Sequence, residues 1–393
     1  MYQDLGYNQF LGINNLPVPD IGAIDSIDLS TLVDGRLSDY VTGARTYDAI
    51  IDKDGGGDYT SIQAALDDNK TKIFVRAGTY IISSTIDITN DNTVIEGENE
   101  YSTIIQVSDS VAASFKMINI GDGSNLCSNV SISNLTIDAN DSSTASLKGI
   151  YIDKAVDILI QDNVFIKFGS SATSYCIDST NSGSSRINIL NNSFDNYTEA
   201  IQLWDTPESF VTRNYFTSVA NNICIVLTGS DRVSVDNNIA INVDYFIFVY
   251  ASDYCLVNNN IIKNSDTFCI SISEGNYNIV SNNNIYDVDK DGIVIAGGGN
   301  YNIVTNNFVD GAGNGIDGHW AGIVIYGSDT SCSYNNINGN TIIATLGNKM
   351  KYGIRENDAG CDYTLISNNI VQGAVTANIS TQGANTIVSD NIS

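Results

Sequence analysis

The chain of 393 residues has few basic side chains. There are 18 Lys and Arg against 45 Asp and Glu, which gives a formal net charge of −27. The basic residues are scattered, so the sequence offers no patch that would attract nucleic acid or an anionic membrane surface. No run of 18 apolar residues is present, so no membrane span is predicted. The first residues also lack the basic and apolar regions of a signal peptide.

The cysteines and the histidine give no indication of a metal site. The 7 cysteines form no CxxC pair and the chain has 1 histidine, which argues against a disulfide framework and a zinc site. Most cysteines fall within strand-like apolar runs, where a free thiol packs as a small hydrophobe. We therefore expect no cofactor, with calcium near Asp52, Asp54 and Asp58 left as a weaker alternative.

An internal repeat dominates the rest of the chain. β-Branched residues, one or two asparagines, one further residue and an apolar residue recur about every 23 residues, a period that indicates a solenoid. The final apolar members are Phe165, Phe194, Phe216, Ala240, Ile262, Ile285, Phe308, Ile342, Ile370 and Ile392. Each unit also carries an earlier alternating strand such as GIYID, AIQLW or GIVIY. Short strands of this kind are stable when stacked coils pair them in parallel around one core.

The asparagines at the turns have a predicted structural role. Asparagine tolerates the left-handed backbone conformation that a sharp bend requires. Its side-chain amide can also bond to the equivalent amide one coil away, so we expect a ladder of asparagines along the solenoid.

The stretch DKDGGGDYTSIQAALDD at 52–68 predicts a cap for the solenoid. Thr60 and Gln63 fit a capping box, and Ile62, Ala65 and Leu66 form one apolar face, which predicts a short helix near 61–67. No lysine follows the glycines, as a phosphate-binding loop requires. The aspartate spacing also differs from that of a calcium loop.

This opening stretch, followed by KIFVRAGTY at 72–80, resembles the start of pectin lyase-like superfamily proteins. The resemblance covers about residues 48–393 and implies an all-β, single-stranded right-handed parallel β-helix with a short N-terminal capping helix. Residues 1–47 carry neither pattern and are predicted to be an attachment or oligomerisation segment, by analogy with phage tailspike-like proteins. The same analogy implies an extracellular or virion-surface protein, a polysaccharide partner and a homotrimer.

The chemistry implied by the resemblance stays open. The N-T-D and R-I-K motifs of polygalacturonase-like enzymes and the D-P-H-E motif of epimerase-like enzymes are absent, and only Gly318-His319-Trp320 approaches the G-H-G motif of the former. The chain is therefore expected to recognise a polysaccharide and either to depolymerise it, by hydrolysis or elimination, or to bind it without catalysis as a glycan-binding or structural spike.

Two features suggest where such chemistry would lie. Period-2 counting places aromatic and polar residues on the outward side of the earlier strand, where rings can stack on sugars, although a subunit or loop contact is the alternative. The repeat lengthens around 309–321 and 343–352, and such insertions often mark a binding face. The substrate-binding candidates are Tyr151, Trp204, Tyr250, Trp320, Tyr326 and Arg355, and the catalytic candidates are Asp289, Asp291, Asp317, His319 and Glu356, with Asp205 and Glu208 as a second carboxylate pair.

Overall fold

The computed structural model describes residues 46–111, 114–141, 146–169, 173–180, 183–217, 222–313, 320–327, 330–345 and 350–393. The chain divides into two compact units, Met1–Tyr47 and Asp48–Ser393. Nearly all of the first unit, the predicted attachment segment, lies outside the described residues. No described helix is long and apolar enough to cross a membrane.

The unit Asp48–Ser393 is a solenoid of three long parallel sheets. The first sheet contains Ala49–Ile51, Lys72–Val75, Val94–Gly97, Cys127–Ser128, Ser131–Ser133, Ala155–Gln161, Ser185–Leu190, Phe210–Thr212, Ser234–Asp236, Leu256–Asn258, Ile279–Ser281, Ile303–Thr305, Asn336–Asn338, Leu365–Ser367 and Ile387–Ser389.

The second sheet contains Gly78–Ile82, Thr103–Val107, Thr136–Asp138, Val164–Phe168, Ser193–Tyr197, Tyr215–Thr217, Ile239–Val243, Ile261–Ser265, Asn284–Val288, Phe308–Ala312, Thr341–Ile343 and Ile370–Gln372. The third sheet contains Ile86–Ile88, Phe115–Ile120, Leu147–Ile152, Tyr175–Ser179, Glu199–Trp204, Ile223–Thr228, Tyr245–Tyr250, Ile270–Ser273, Ile293–Ala296, Ala321–Ile325, Tyr352–Glu356 and Ala377–Ser380.

Each coil contributes one strand to each sheet, so equivalent residues form columns along the solenoid. The inward columns make one continuous apolar core. Within it, Phe165, Phe194 and Phe216 stack with ring centroids 4.9 Å apart. Three of the predicted core positions are wrong. Ile392 is 61% exposed and bridges to Ile370. At the other two, Val309 pairs with Ile285 and Val371 pairs with Ile342. Phe308 and Ile370 precede these residues and lie outside the core cluster.

The asparagine ladder is present, but the asparagine in the left-handed conformation and the asparagine that makes the ladder contacts are two different residues. Asn259 takes the left-handed conformation with φ 56° and is exposed. Asn260, the next residue, is fully buried and makes the ladder contacts. The ladder runs through Asn163, Asn192, Asn214, Asn238, Asn260, Asn283 and Asn307 to Asn340, Asn369 and Asn391.

The capping helix spans Ile62–Asp67, and Ile62, Ala65 and Leu66 are buried on its inner face as predicted. The capping box is wrong: Ser61 is the N-cap and accepts from the Ala64 amide, while the Gln63 side chain donates to Asp67.

In the glycine stretch before the helix, the backbone passes very close to the first strand. A Cβ on Gly57 would lie 2.4 Å from the Ile50 carbonyl oxygen, so only glycine fits there. Asp58 accepts the Ile50 amide, and Asp52 accepts the Asp54 amide. These carboxylates therefore hold the first turn together.

Candidate functional site

The outer face of the third sheet carries the charged and aromatic side chains that the core excludes. Strand register aligns its central column as Asn119, Tyr151, Asp178, Gln202, Val226, Phe248, Ser271, Val294, Val324 and Arg355. Of the predicted outward residues, Tyr151 and Arg355 lie in this column, whereas Trp204 and Tyr250 lie in a second column two residues farther along the strand. The central column is not uniform, since its first half is polar and its second half is largely apolar.

The first half contains a group of ionisable residues that we term the lysine cluster: Lys116, Lys148, Tyr151, Tyr175, Asp178 and Glu199. Lys116 and Lys148 are direct register partners on adjacent strands. Like charges opposite each other destabilise a sheet, so this pairing is a cost that the fold does not require. Both ammonium groups lie on the Tyr151 ring, with Nζ 3.6 Å and 4.4 Å from its centroid.

Asp178 lies beneath the lysines and is fully buried. Lys148 Nζ lies 2.5 Å from its Oδ2, but neither carboxylate oxygen makes a well-aligned hydrogen bond among the described residues. Burial raises the pKa of Asp178, while Lys148 and Lys116 act to lower it. A buried carboxylate with so few partners calls for an explanation, because native proteins normally satisfy such groups.

Glu199 and Tyr175 complete the lysine cluster as register partners on neighbouring coils. Burial, and then the charge of Asp178, raises the pKa of Glu199. Burial raises the pKa of Tyr175 to about 12, so its hydroxyl stays protonated at neutral pH. Burial lowers the pKa of Lys116, and Lys148 adds to that effect while Asp153 opposes it. Glu199 and Tyr175 are both partly exposed to solvent.

The second half of the face contains Asp291, one of the predicted catalytic residues. Its carboxylate is fully buried and accepts from the Ala321 amide at 2.6 Å and from the Tyr326 hydroxyl at 3.1 Å. Burial raises its pKa to about 6, against the lowering effects of these hydrogen bonds, Arg355 and Lys290. The surroundings are apolar, a second small hydrophobic cluster outside the core made of Val294, Ala321 and Val324 with Phe268, Ala296, Tyr326 and Tyr352.

Replacing Asp291 with Asn is expected to change how stability depends on pH. A carboxyl whose pKa is raised to about 6 by folding stabilises the protein below about pH 4, and that contribution is lost as pH rises to 6. Between pH 4 and 7, the free energy of unfolding of Asp291→Asn should therefore increase by about 3 kcal/mol relative to that of the wild type. Urea unfolding at several pH values measures this difference. A difference between variant and wild type that does not change with pH would contradict it.

Asp289 and Glu356 are the other catalytic candidates that the structure describes. Asp317 and His319 lie outside the described residues. Asp289 is partly buried, which raises its pKa, and Asp266 adds to this. Glu356 faces the interior and is fully buried, where it accepts from the amides of Gln382 and Gly383 and from the Thr386 hydroxyl. These three hydrogen bonds link the Glu356 strand to the following coil. We therefore leave Glu356 out of the proposed site. Of the second carboxylate pair, Asp205 is exposed and Glu208 forms a surface ion pair with Arg232.

The substrate-binding candidates differ in how much ring surface they present. Trp204 is 47% exposed, whereas Tyr151 is 6% exposed beneath the lysines. Tyr250 is partly exposed and donates to Glu274 at 3.0 Å.

Two further candidates lie in the apolar half of the face. The Trp320 ring packs edge-on against Phe268, with centroids 6.3 Å apart. The Arg355 guanidinium lies 4.6 Å from the centre of the Tyr352 ring.

Sequence reasoning missed Lys116, Lys148, Tyr175, Asp178 and Glu199. The usable signal was the lysine at the same place in FKMINI and LKGIYI, one coil apart, in a chain that has only 18 basic residues.

Comparison with known proteins identifies the fold. Residues 169–316 match the model of the family described as NosD, periplasmic copper-binding protein. No curated protein matches the chain by sequence. The A-module of a mannuronan C-5 epimerase from Azotobacter vinelandii is 16% identical, with a TM-score of 0.68 over 84% of this chain and 93% of that one.

Two phage proteins are similar in the same way. The Dettilon tailspike protein is 17% identical, with a TM-score of 0.60 over 81% of this chain and 63% of that one. The N-terminal fragment of bacteriophage Phi29 gene product 12 is 14% identical, with a TM-score of 0.61 over 92% of this chain and 74% of that one. The chain is therefore a right-handed parallel β-helix with the pectin lyase-like fold.

The copper binding that the family description names does not fit the described residues. No group of three or more His, Cys, Asp or Glu among them is arranged to hold a metal ion. The cysteines are all buried and free. Burial raises the pKa of thiols such as Cys176 and Cys269, whereas a metal needs the thiolate. We derive no chemistry through copper.

Proposed function

We propose that this protein binds an acidic polysaccharide along the outer face of the third sheet and removes a proton from a uronate unit at the lysine cluster. The observation that carries the proposal is the facing pair Lys116 and Lys148 above the buried Asp178. Removal of the C5 proton of a uronate is the step shared by polysaccharide elimination and epimerisation, so the proposal names this step first.

The lysine pair supplies the charge that such a substrate requires. The chain as a whole carries −27 and repels a polyuronate, so binding needs local positive charge. Lys148 is neutralised by Asp178, whereas no described carboxylate forms an ion pair with Lys116. Lys116 is therefore the group available to a substrate carboxylate. Positive charge at that carboxylate also stabilises the negative charge that develops when the adjacent proton leaves.

Glu199 and Tyr175 supply the proton transfers. Glu199, with its raised pKa, is a stronger base than an ordinary carboxylate and accepts the C5 proton. The protonated Tyr175 on the neighbouring coil donates to the glycosidic oxygen as the C4–O bond breaks and the C4–C5 double bond forms. If Tyr175 instead protonates C5 from the face opposite Glu199, the C4–O bond stays intact and the outcome is epimerisation.

The rest of the outer face serves as the binding surface. Trp204 is the most exposed aromatic of the predicted set, and Tyr250 lies farther along the same face, so rings are available to stack on sugars. Arg355 and Tyr352 lie at the far end and suit a second acidic unit of the chain. An extended polysaccharide lying parallel to the solenoid would meet these groups in turn.

The similar proteins support a carbohydrate-related role, since one is named as a mannuronan epimerase and another as a tailspike. On the same basis we propose that the protein is secreted or lies on a virion surface, that it assembles as a homotrimer, and that residues 1–47 provide attachment. A monomer mass measured by light scattering at micromolar concentration would contradict the proposed homotrimer.

A second candidate function is hydrolysis at Asp291. Its carboxyl, with a pKa of about 6 in an apolar setting, resembles a general acid. Asp289 lies two residues before it, and the repeat predicts Asp317 and His319 one coil later. We rank it second because both carboxylate oxygens are already held by Ala321 and Tyr326. Binding without catalysis, as a glycan-binding or structural spike, is the third outcome.

One experiment separates these functions. The protein is incubated in deuterated water with alginate, polygalacturonate and neutral dextran, and three quantities are followed: deuterium at C5, chain length, and absorbance of unsaturated uronate. Deuterium at C5 of a polyuronate supports the proposal as epimerisation. Absorbance of unsaturated uronate, whose C5 carries no hydrogen, supports it as elimination. Chain shortening without either signal would favour hydrolysis at Asp291. Binding with no change would favour the non-catalytic reading.

A further inference from the structure

Five tyrosines form an exposed stack at the turn that precedes the first sheet. Neighbouring rings lie 4.9 to 5.1 Å apart, with planes within 8° of parallel. Each side chain is between 45% and 58% exposed. The members are Tyr254, Tyr277, Tyr301, Tyr334 and Tyr363.

A row of side chains that is aliphatic except at Asn336, termed the aliphatic row, runs beside the stack on the first sheet. Two residues after each tyrosine, strand register aligns Leu256, Ile279, Ile303, Asn336 and Leu365. Ile279 and Ile303 remain 38% and 36% exposed. The next outward column is uncharged and consists of Asn258, Ser281, Thr305, Asn338 and Ser367. We term the stack and the aliphatic row together the tyrosine strip.

The fold itself does not require tyrosine at this turn. In earlier coils the equivalent left-handed position is occupied by Asp157, Arg186, Glu208 and Arg232. These four form two ion pairs, Asp157 with Arg186 and Glu208 with Arg232. The backbone therefore accepts charged residues there, and the change to tyrosine removes charge from one side of the later coils.

Stacked rings of this kind are unsuited to holding a sugar. A sugar stacks on the face of an aromatic ring, and each inner tyrosine has both faces covered by its neighbours. Only ring edges and hydroxyl groups point outward. An apolar strip that presents edges rather than faces is suited to protein packing.

We propose that the tyrosine strip is the surface through which copies of this chain associate side by side. Charge favours a second copy as the occupant. Two chains that each carry −27 repel one another over most of their surface, and the strip has no charged side chain of its own, with Asp253 and Asp362 only at its edge. It is a surface on which two copies can meet without opposing like charges.

The area of the strip agrees with a stable contact. Five half-exposed tyrosines and the aliphatic row would bury roughly 800 Å² on each copy, which is the area a standard protein interface buries on each partner. A second copy also presents the same spacing of rungs, so ridges of one strip fit between ridges of the other along their whole length. In the proposed homotrimer, a three-fold axis parallel to the solenoid would place the tyrosine stack of each copy against the aliphatic row of the next.

The test measures the mass of the full chain by light scattering at micromolar concentration. The wild type should show a multiple of the 42.2 kDa chain mass, and Tyr277→Glu with Tyr301→Glu should return it to the mass of one chain. Glutamate is tolerated at this turn, since Glu208 occupies it with φ 60°. Circular dichroism and thermal unfolding check that the variant keeps the fold.

A matched control places the same two charges on another exposed apolar column. Ile239 and Ile261 are register partners on the second sheet and are 37% and 42% exposed. Ile239→Glu with Ile261→Glu should leave the mass of the assembly unchanged. A monomeric wild type would overturn the proposal, and so would a folded tyrosine variant that still associates. Loss of association in the control and the tyrosine variant alike would also overturn it, because the contact would then be unspecific.

Discussion

Replacement of Asn260 by Ala is expected to lower the free energy of unfolding by about 4 kcal/mol, since buried polar groups left without partners cost roughly 1–3 kcal/mol each. The Asn260 amide accepts from the backbone and side-chain nitrogens of Asn238, at 2.9 and 3.0 Å. It donates to the Val235 carbonyl at 3.0 Å and to Asn283 at 2.9 Å. Alanine removes all four bonds in the fully buried centre of the ladder.

Urea unfolding, together with hydrogen exchange of the Asn238 amide, measures the effect. The control is Asn259→Gly, which removes an exposed neighbouring amide and keeps the left-handed conformation with φ 56°. Its effect should stay within about 0.5 kcal/mol. If Asn260→Ala were as mild as the control, the ladder would be a consequence of the fold and not one of its supports.

The second large effect concerns the proposed chemistry. Glu199→Gln should lower the rate of C5 proton loss, followed as deuterium uptake or as absorbance of unsaturated uronate, by about 100-fold to 10,000-fold, the range usual for loss of a general base. The wild-type rate should rise with pH as Glu199 ionises, and fall again at alkaline pH as Lys116 loses its proton. Burial lowers the pKa of Lys116, which moves this alkaline fall in rate toward neutral pH. Tyr175, with a pKa of about 12, stays protonated throughout this range.

Lys116→Arg separates this account from a purely structural role for the lysine. Arginine keeps its charge at high pH, so the alkaline limb should move upward while the acid limb stays in place. Lys263→Arg on the second sheet, at an exposed position, is the matched control and should leave the profile unchanged. A profile that is unaltered by Lys116→Arg, or activity that survives Glu199→Gln, would contradict the assigned roles.

The repeat made the fold predictable from sequence, because one asparagine and one inward apolar residue recur in each coil. Its details were harder to predict where two apolar residues follow the ladder asparagine. In Asn307-Phe308-Val309 the sequence favours Phe308 for the core, yet the register places Val309 there. The spacing from the ladder asparagine, two residues, decides the position, and residue size does not.

The site was less predictable, because burial outside the core cannot be read from a period of two. Tyr151 was correctly placed on the outer face, but the lysines that cover it lie on two different coils. Glu356 follows Arg355 in the strand and therefore faces inward, which the alternation could have indicated. Asp291 was predicted only as a catalytic candidate, and the three-dimensional contacts reveal its apolar surroundings.

The most direct test of the central claim is a crystal structure of the protein with a uronate tetrasaccharide from alginate or polygalacturonate. We expect the sugar on the outer face of the third sheet, with one carboxylate at Lys116 and the C5 of that unit beside Glu199. A tetrasaccharide bound to the first or second sheet, or at the Asp291 cluster with the lysine cluster empty, would contradict it.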